Sequence, residues 1–297
     1  MSSYESKYPV KMKKGDVLGV AAPSSPFDDI LFQQGVSTLK AMGFEVLMPE
    51  GIFEKDGFLA GDDTLRAAVL HDLFVNPKVR GIVCARGGYG SMRLLPLLDF
   101  DLIAANPKPL IGFSDATALL EAIHERTGLV CYHGPVVTSL AKTDGPGLTG
   151  FEDILKEGVW TMECPEGTVI REGAAEGPLK GGNLTTLCHL TGTAFAPQLD
   201  GSILMLEDVG EAPYRIDRML TQMRMAGLFD RIRAVVAGRF DRCGEARDIE
   251  EVFRRAFRDV HVPLVLGFPF GHGSENLPFP VGGWARFDTN SMKVSMA

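Results

Sequence analysis

Short apolar runs alternate with amphipathic stretches through the first 140 residues, and no other feature constrains the fold of this chain as tightly. Val17-Leu18-Gly19-Val20-Ala21 reads as a buried strand. After a Pro-Ser-Ser-Pro turn, Phe32, Val36 and Leu39 recur at the spacing of one helix face. Residues 44–48 form the next strand, and Asp62 or Asp63 can cap a helix carrying Leu65, Ala68, Val69 and Leu73. Residues 81–85, 109–113 and 129–132 are three further strands. Strands that alternate with helices pair in parallel through right-handed crossovers, so the expected class is α/β, with an open doubly wound sheet closing near residue 140.

The pattern changes at Asp144-Gly145-Pro146-Gly147. A linker is expected over residues 142–175, between an amino-terminal domain (1–141) and a carboxy-terminal one (176–297). Two domains suit a chain of 297 residues. In the second half, residues 202–209 and 232–240 are strand-like, separated by a helix with Ile216, Leu220 and Met223 on one face. Met292, Val294 and Met296 alternate with Ser291, Lys293 and Ser295, the period of a half-exposed strand. Thr289-Asn290 can turn it back on residues 284–288 as a hairpin, so this domain is expected to be mixed α+β.

Composition removes several function classes. A formal charge of −8 without a basic run argues against a nucleic-acid partner. No apolar stretch is long enough to span a bilayer, and Met1-Ser2-Ser3-Tyr4-Glu5 lacks the apolar core of a signal peptide. The five cysteines (Cys84, Cys131, Cys164, Cys188 and Cys243) are odd in number and scattered, fitting neither a disulfide framework nor metal spacing. A cytoplasmic protein with reduced thiols is expected.

The chemistry concentrates at strand ends. Ser114 stands between the 109–113 strand and a helix with Ala116, Leu119, Leu120 and Ile123 on one face and Gly128 as its stop. A serine there projects from the carboxyl edge of the sheet, where ligands of open α/β sheets bind. The flanks Gly112-Phe113-Ser114-Asp115-Ala116 lack the second glycine of a G-x-S-x-G elbow, and a helix cap is the plain alternative. A nucleophilic hydroxyl needs a base and a group that orients that base. Among six histidines, His272 between Gly271 and Gly273 is the strongest base candidate, and His133 at a strand end is the second. Glu207 ends the apolar run 203–206, where an unpaired carboxylate is costly and a histidine N–H would satisfy it. The alternative there is an ion pair with Arg215 or Arg218, while alternation sends Asp208 to the opposite face. Arg86-Gly87-Gly88-Tyr89-Gly90 follows the third strand; the Gly88 amide, with that of Asp115, could form an oxyanion hole. Arg86 suits a carboxylate. A cysteine nucleophile would fall on Cys84, which lies inside a strand and not at a turn.

These segments, with Gly177–Asn183, Leu206-Glu207-Asp208, Gly238-Arg239-Phe240 and residues 267–276, together resemble the LD-carboxypeptidases across nearly the whole chain. That family of serine peptidases includes muramoyltetrapeptide carboxypeptidases and the microcin C immunity peptidases. The resemblance implies a Ser-Glu-His triad at Ser114, Glu207 and His272, a flavodoxin-like first domain, a smaller β-rich second domain and a homodimer. It implies no metal and no organic cofactor. The implied substrate is a murein-derived tetrapeptide, cut at the bond between an L-centre and the terminal D-alanine. Arg86 and Arg239 are the candidates for its free carboxylate. The immunity members cleave peptide–nucleotide conjugates and are longer after the catalytic glutamate, whereas here Val209-Gly210-Glu211-Ala212-Pro213-Tyr214 follows with no aromatic-rich insertion. A non-catalytic binding protein on the same fold is the other alternative.

Overall fold

The computed structural model describes residues 6–297. The first half runs β1 (Val17–Ala21), α1 (Asp29–Ala41), β2 (Glu45–Leu47), α2 (Asp63–Val75), β3 (Val79–Cys84), α3 (Ser91–Leu94), α4 (Phe100–Ala105), β4 (Leu110–Gly112), α5 (Thr117–Thr127) and β5 (Cys131–His133). Its five strands are parallel in the order 2-1-3-4-5, the doubly wound arrangement of flavodoxin-like folds. The caps follow the sequence: Asp62 Oδ1 accepts from Leu65 N–H at 2.8 Å, and Gly128 takes the left-handed conformation that ends α5.

The α2 face differs from expectation. Ala67, Leu70, Leu73 and Phe74 are buried together with Arg66, while Ala68 is exposed. Hydrophobic periodicity passes over a buried arginine. Here the guanidinium is satisfied by the carbonyls of Pro23, Gly61 and Gly90 and by the Asp63 carboxylate. Arg66 thereby ties together the loops that follow β1 and β3.

The rest of the chain runs α6 (Val137–Leu140), α7 (Gly145–Lys156), β6 (Thr161–Glu163), β7 (Thr168–Arg171), β8 (Ala174–Asn183), α8 (Leu184–Leu190), β9 (Ile203–Val209), α9 (Pro213–Met225), β10 (Ala234–Asp241), α10 (Ala246–Ala256), β11 (Leu264–Leu266), β12 (Phe279–Val281), β13 (Trp284–Asp288) and β14 (Lys293–Met296). The second sheet has eight strands in the order β6-β14-β13-β8-β9-β10-β11-β7. Its centre, β8 to β11, is parallel, and antiparallel strands flank it on both sides. The expected hairpin forms, with Asp288 opposite Lys293.

Residues 142–175, expected as a linker, carry α7, β6 and β7. Phe151, Ile154 and Leu155 of α7, with Trp160 and Met162, are buried in the main core. Asp144 caps α7 through Gly147 N–H. The Gly-Pro-Gly segment that reads as a break is thus the first turn of a helix, where proline is tolerated because its missing N–H has no intrahelical partner. β12 leaves the second half and pairs antiparallel with β5 on the first sheet. One apolar core accordingly runs through both halves, and a second lies beneath α8, α9 and α10. Among the described residues no helix is long and apolar enough to cross a membrane.

Candidate active site

β4 delivers Ser114 into a tight turn. Its φ is +60°, a conformation rare for a residue with a Cβ and costing on the order of 1–3 kcal/mol, which the surroundings must hold in place. Gly112 permits the turn, since a Cβ there would stand 2.7 Å from Ala116 Cβ and 2.9 Å from Cys84 Sγ. The geometry is a nucleophile elbow without the second glycine. The buried carboxylate of Asp115 braces it: Oδ2 accepts from Ser24 Oγ at 2.6 Å and from Ser91 N–H at 2.8 Å. Sequence reading offered Asp115 as an amide donor or a helix cap; its side chain instead locks the β1, β3 and β4 loops together.

The Arg86–Gly90 loop passes directly over the serine. A Cβ on Gly87 would lie 3.0 Å from Ser114 Oγ, and Gly88, at φ +110°, packs against Ser25. Among the described residues no protein acceptor takes the backbone N–H of Gly88 or of Asp115.

His272 Nδ1 lies 2.7 Å from Glu207 Oε2, the distance of a charge-assisted hydrogen bond. Glu207 is completely buried near the end of β9, and among the described residues its other oxygen has no partner. Gly271, at φ +111°, lets the histidine loop close onto it, because a Cβ there would meet Glu207 Oε2 at 2.7 Å. Burial disfavours the charged imidazole, but the Glu207 carboxylate outweighs it, through its charge and its hydrogen bond, and holds the His272 pKa above the ordinary histidine value. The arginine pairing considered for Glu207 does not form: Arg215 pairs with Glu211. Asp208 points to the opposite face, where Asn183 Nδ2, Thr185 N–H and Thr185 Oγ1 donate to it.

Ser114, His272, Arg86, Gly87 and Gly88 line one cavity of about 600 Å³ at the carboxyl edge of the first sheet. Arg86 donates to the Pro26 carbonyl at 2.8 Å, and among the described residues no carboxylate pairs with it. Arg239 is placed elsewhere. It lines a separate cavity with Cys164 and Arg247, and its guanidinium pairs with Glu275 at 2.6 Å. β10 carries it past the cleft, so of the two arginines only Arg86 faces the serine cavity. His133, the second base candidate, is fully buried between aromatic rings, stacked on Phe279 with centroids 4.6 Å apart. Burial, with a smaller contribution from His272, pushes its pKa down to about 3, and among the described residues neither ring nitrogen has a partner. Asp28 and Lys142 also line the serine cavity. Sequence reading missed both, because nothing local distinguishes them from an ordinary cap and an ordinary surface lysine.

The LD-carboxypeptidase N-terminal domain model matches residues 18–134, and the C-terminal domain model matches residues 176–287. The chain belongs to the LD-carboxypeptidase family. A probable murein peptide carboxypeptidase of Bacillus subtilis is 35% identical over 95% of this chain and 91% of its own length. A murein tetrapeptide carboxypeptidase of Pseudomonas aeruginosa is 34% identical over 93% of this chain and 94% of its own. An MccF-like protein from Bacillus anthracis superposes with a TM-score of 0.91 at 30% identity, covering 98% of this chain and 99% of the other. The family is one of peptidases, and the two-domain, parallel-sheet architecture is common to it.

Proposed function

We propose that the protein is a serine carboxypeptidase that removes the terminal D-alanine of murein tetrapeptides. The observation that carries this reading is the hydrogen bond that His272 makes to fully buried Glu207, with His272 lining the same cavity as a serine held at positive φ. Ser114 Oγ attacks the carbonyl of the L-centre, and His272 Nε2 takes its proton while Glu207 accepts from Nδ1–H and steadies the imidazolium. The Gly88 and Asp115 amides receive the oxyanion. Collapse of the tetrahedral intermediate breaks the C–N bond, and His272 returns the proton to the departing amine of D-alanine. Water, deprotonated by the same histidine, then releases the acyl group from Ser114. Arg86 receives the free carboxylate of the substrate.

The connection from β9 to α9 is only Gly210, Glu211 and Ala212, too short to supply an aromatic platform for a nucleotide base. That favours a murein peptide over a peptide–nucleotide conjugate. The same reading carries a cytoplasmic homodimer with domains 1–141 and 176–297. The test is D-alanine release by the purified protein from a murein tetrapeptide and from the pentapeptide, whose terminal bond joins two D-centres. Release is expected from the tetrapeptide alone. Ser114→Ala should lower it by about 10³-fold or more with unchanged thermal stability, and a near-normal rate in the folded variant would move the nucleophile elsewhere.

A further inference from the structure

The segment Lys180-Gly181-Gly182-Asn183, at the end of β8, carries no member of the triad, yet it is held more tightly than a strand end requires. Gly181 and Gly182 stand at φ +122° and +138°, a backbone that residues with a Cβ rarely adopt. A Cβ on Gly181 would fall 2.0 Å from the Met205 carbonyl oxygen of β9. One on Gly182 would fall 2.7 Å from Thr117 Oγ1 of α5. The strand end is thus pressed against both β9 and α5.

Two hydrogen bonds join it to α5. Glu121 Oε1 accepts from Gly181 N–H at 2.6 Å, and Thr117 Oγ1 accepts from Asn183 N–H at 3.1 Å. Thr117 and Glu121 lie one turn apart on the same helix face, so one face of α5 grips two positions of one strand. Both acceptors are buried, and so is Lys180, whose Nζ lies 3.8 Å from Glu121 Oε2 and pairs with Glu125. The lysine supplies the counter-charge that a carboxylate at this depth requires.

The triad lies at both ends of this seam. Ser114 is on the turn that leads into α5, and Asn183 stands opposite Glu207 in the register of β8 and β9. Glu207 in turn holds His272 at 2.7 Å. From nucleophile to base the route runs through Thr117, Asn183 and Glu207. Each of its links is a helical turn, a strand pairing or a hydrogen bond.

We propose that Thr117 and Glu121 are positioning residues for the reaction, which set the register of β8 on α5 and through it the placement of Glu207 and His272 on Ser114. The inference rests on the serine-triad reading and goes beyond it to what keeps the two halves of the triad in line. A misplacement of about 1 Å costs about a hundredfold in rate, so loosening the seam slows the chemistry without altering any group that performs it.

The experiment reads the rate at which a fluorophosphonate modifies Ser114, beside kcat and KM for D-alanine release from the tetrapeptide. Ser114 Oγ displaces fluoride from phosphorus while His272 takes the hydroxyl proton, so this rate reports activation of the serine and needs no murein peptide. Thr117→Val and Glu121→Met keep the side-chain size and remove the acceptor oxygen. Each should lower phosphonylation and kcat by about tenfold, with KM within about twofold. Thr117→Ser and Glu121→Gln keep an acceptor oxygen and should restore both rates; either pair suffices. Leu220→Ala, in the core beneath α9, should lower Tm without slowing either step, all rates being read where each variant is folded. Folded acceptor-free variants with near-wild-type rates, or a Leu220→Ala variant slowed as much as they are, would overturn the assignment. If the wild-type protein is phosphonylated but releases no D-alanine, the murein reading fails and phosphonylation still decides the assignment. If it shows neither activity, both fail.

Discussion

Glu207→Gln separates the energetics of the site from its chemistry. The carboxylate is completely buried, one oxygen bonds His272 at 2.7 Å and the other has no partner. Glutamine has the same shape without the charge. It no longer stabilises the imidazolium and can present its NH2 to Nδ1, which selects the wrong tautomer. The comparable change in a serine triad costs about 10⁴-fold, so a loss of about 10³–10⁴ in kcat is expected, or about 4–5.5 kcal/mol of barrier. Folding should respond in the opposite direction. At alkaline pH the wild-type protein holds a charged, half-satisfied carboxylate against a neutral imidazole, and its removal should stabilise by about 1–3 kcal/mol. For a chain of this size that is a rise in Tm of roughly 2–8 °C. The pH dependence follows from the sign of the His272 shift. A histidine whose folded pKa exceeds its ordinary 6.5 contributes stability that is fully present below 6.5 and lost as pH rises through the folded value. The wild-type protein therefore gains from the ion pair in acid, and the Tm advantage of Glu207→Gln should grow from pH 5.5 to pH 8.5. Calorimetry across that range, paired with D-alanine release, reads both effects. A variant less stable than wild type at pH 8.5, or within tenfold of wild-type activity, would refute the reasoning.

Two further substitutions test neighbouring groups. His133→Phe fills an aromatic cage in which neither imidazole nitrogen has a partner, so activity within about threefold and a Tm unchanged or higher are expected; a large activity loss would restore His133 as a candidate base. Glu121, almost fully buried, has its pKa raised to about 7 by burial against the opposing pull of Lys180 and the Gly181 N–H. The folded state then binds the extra proton, and stability falls as pH rises from about 4.5 to about 7. Glu121→Gln should flatten that slope and exceed wild-type Tm at pH 8, with parallel melting curves counting against it.

Much of the candidate site was legible residue by residue. Ser114 showed itself by interrupting an apolar strand just before a helical pattern, and Glu207 by ending an apolar run that no lone carboxylate would choose. His272 showed itself by its glycine neighbours. The exclusion of His133 was not legible, because its burial comes from Phe270 and Phe279, more than 130 positions away. Nor was the placement of Arg239, whose partner Glu275 lies on the histidine loop.

Local patterns alone determined the element order of the first domain, the caps of α2 and α5, the closing hairpin and the positions where backbone must turn sharply. They could do so because periodicity, capping and glycine conformations act over a few residues. Tertiary structure decided what those patterns leave open. It packed α7 and β6 into the core, drew β12 onto the far edge of the first sheet, buried Arg66 on an otherwise apolar face and brought Asp28 and Lys142 to the serine cavity. The physical reason is that strand pairing and charge satisfaction depend on which groups meet in space, and here the partners are separated by as many as 150 residues of chain.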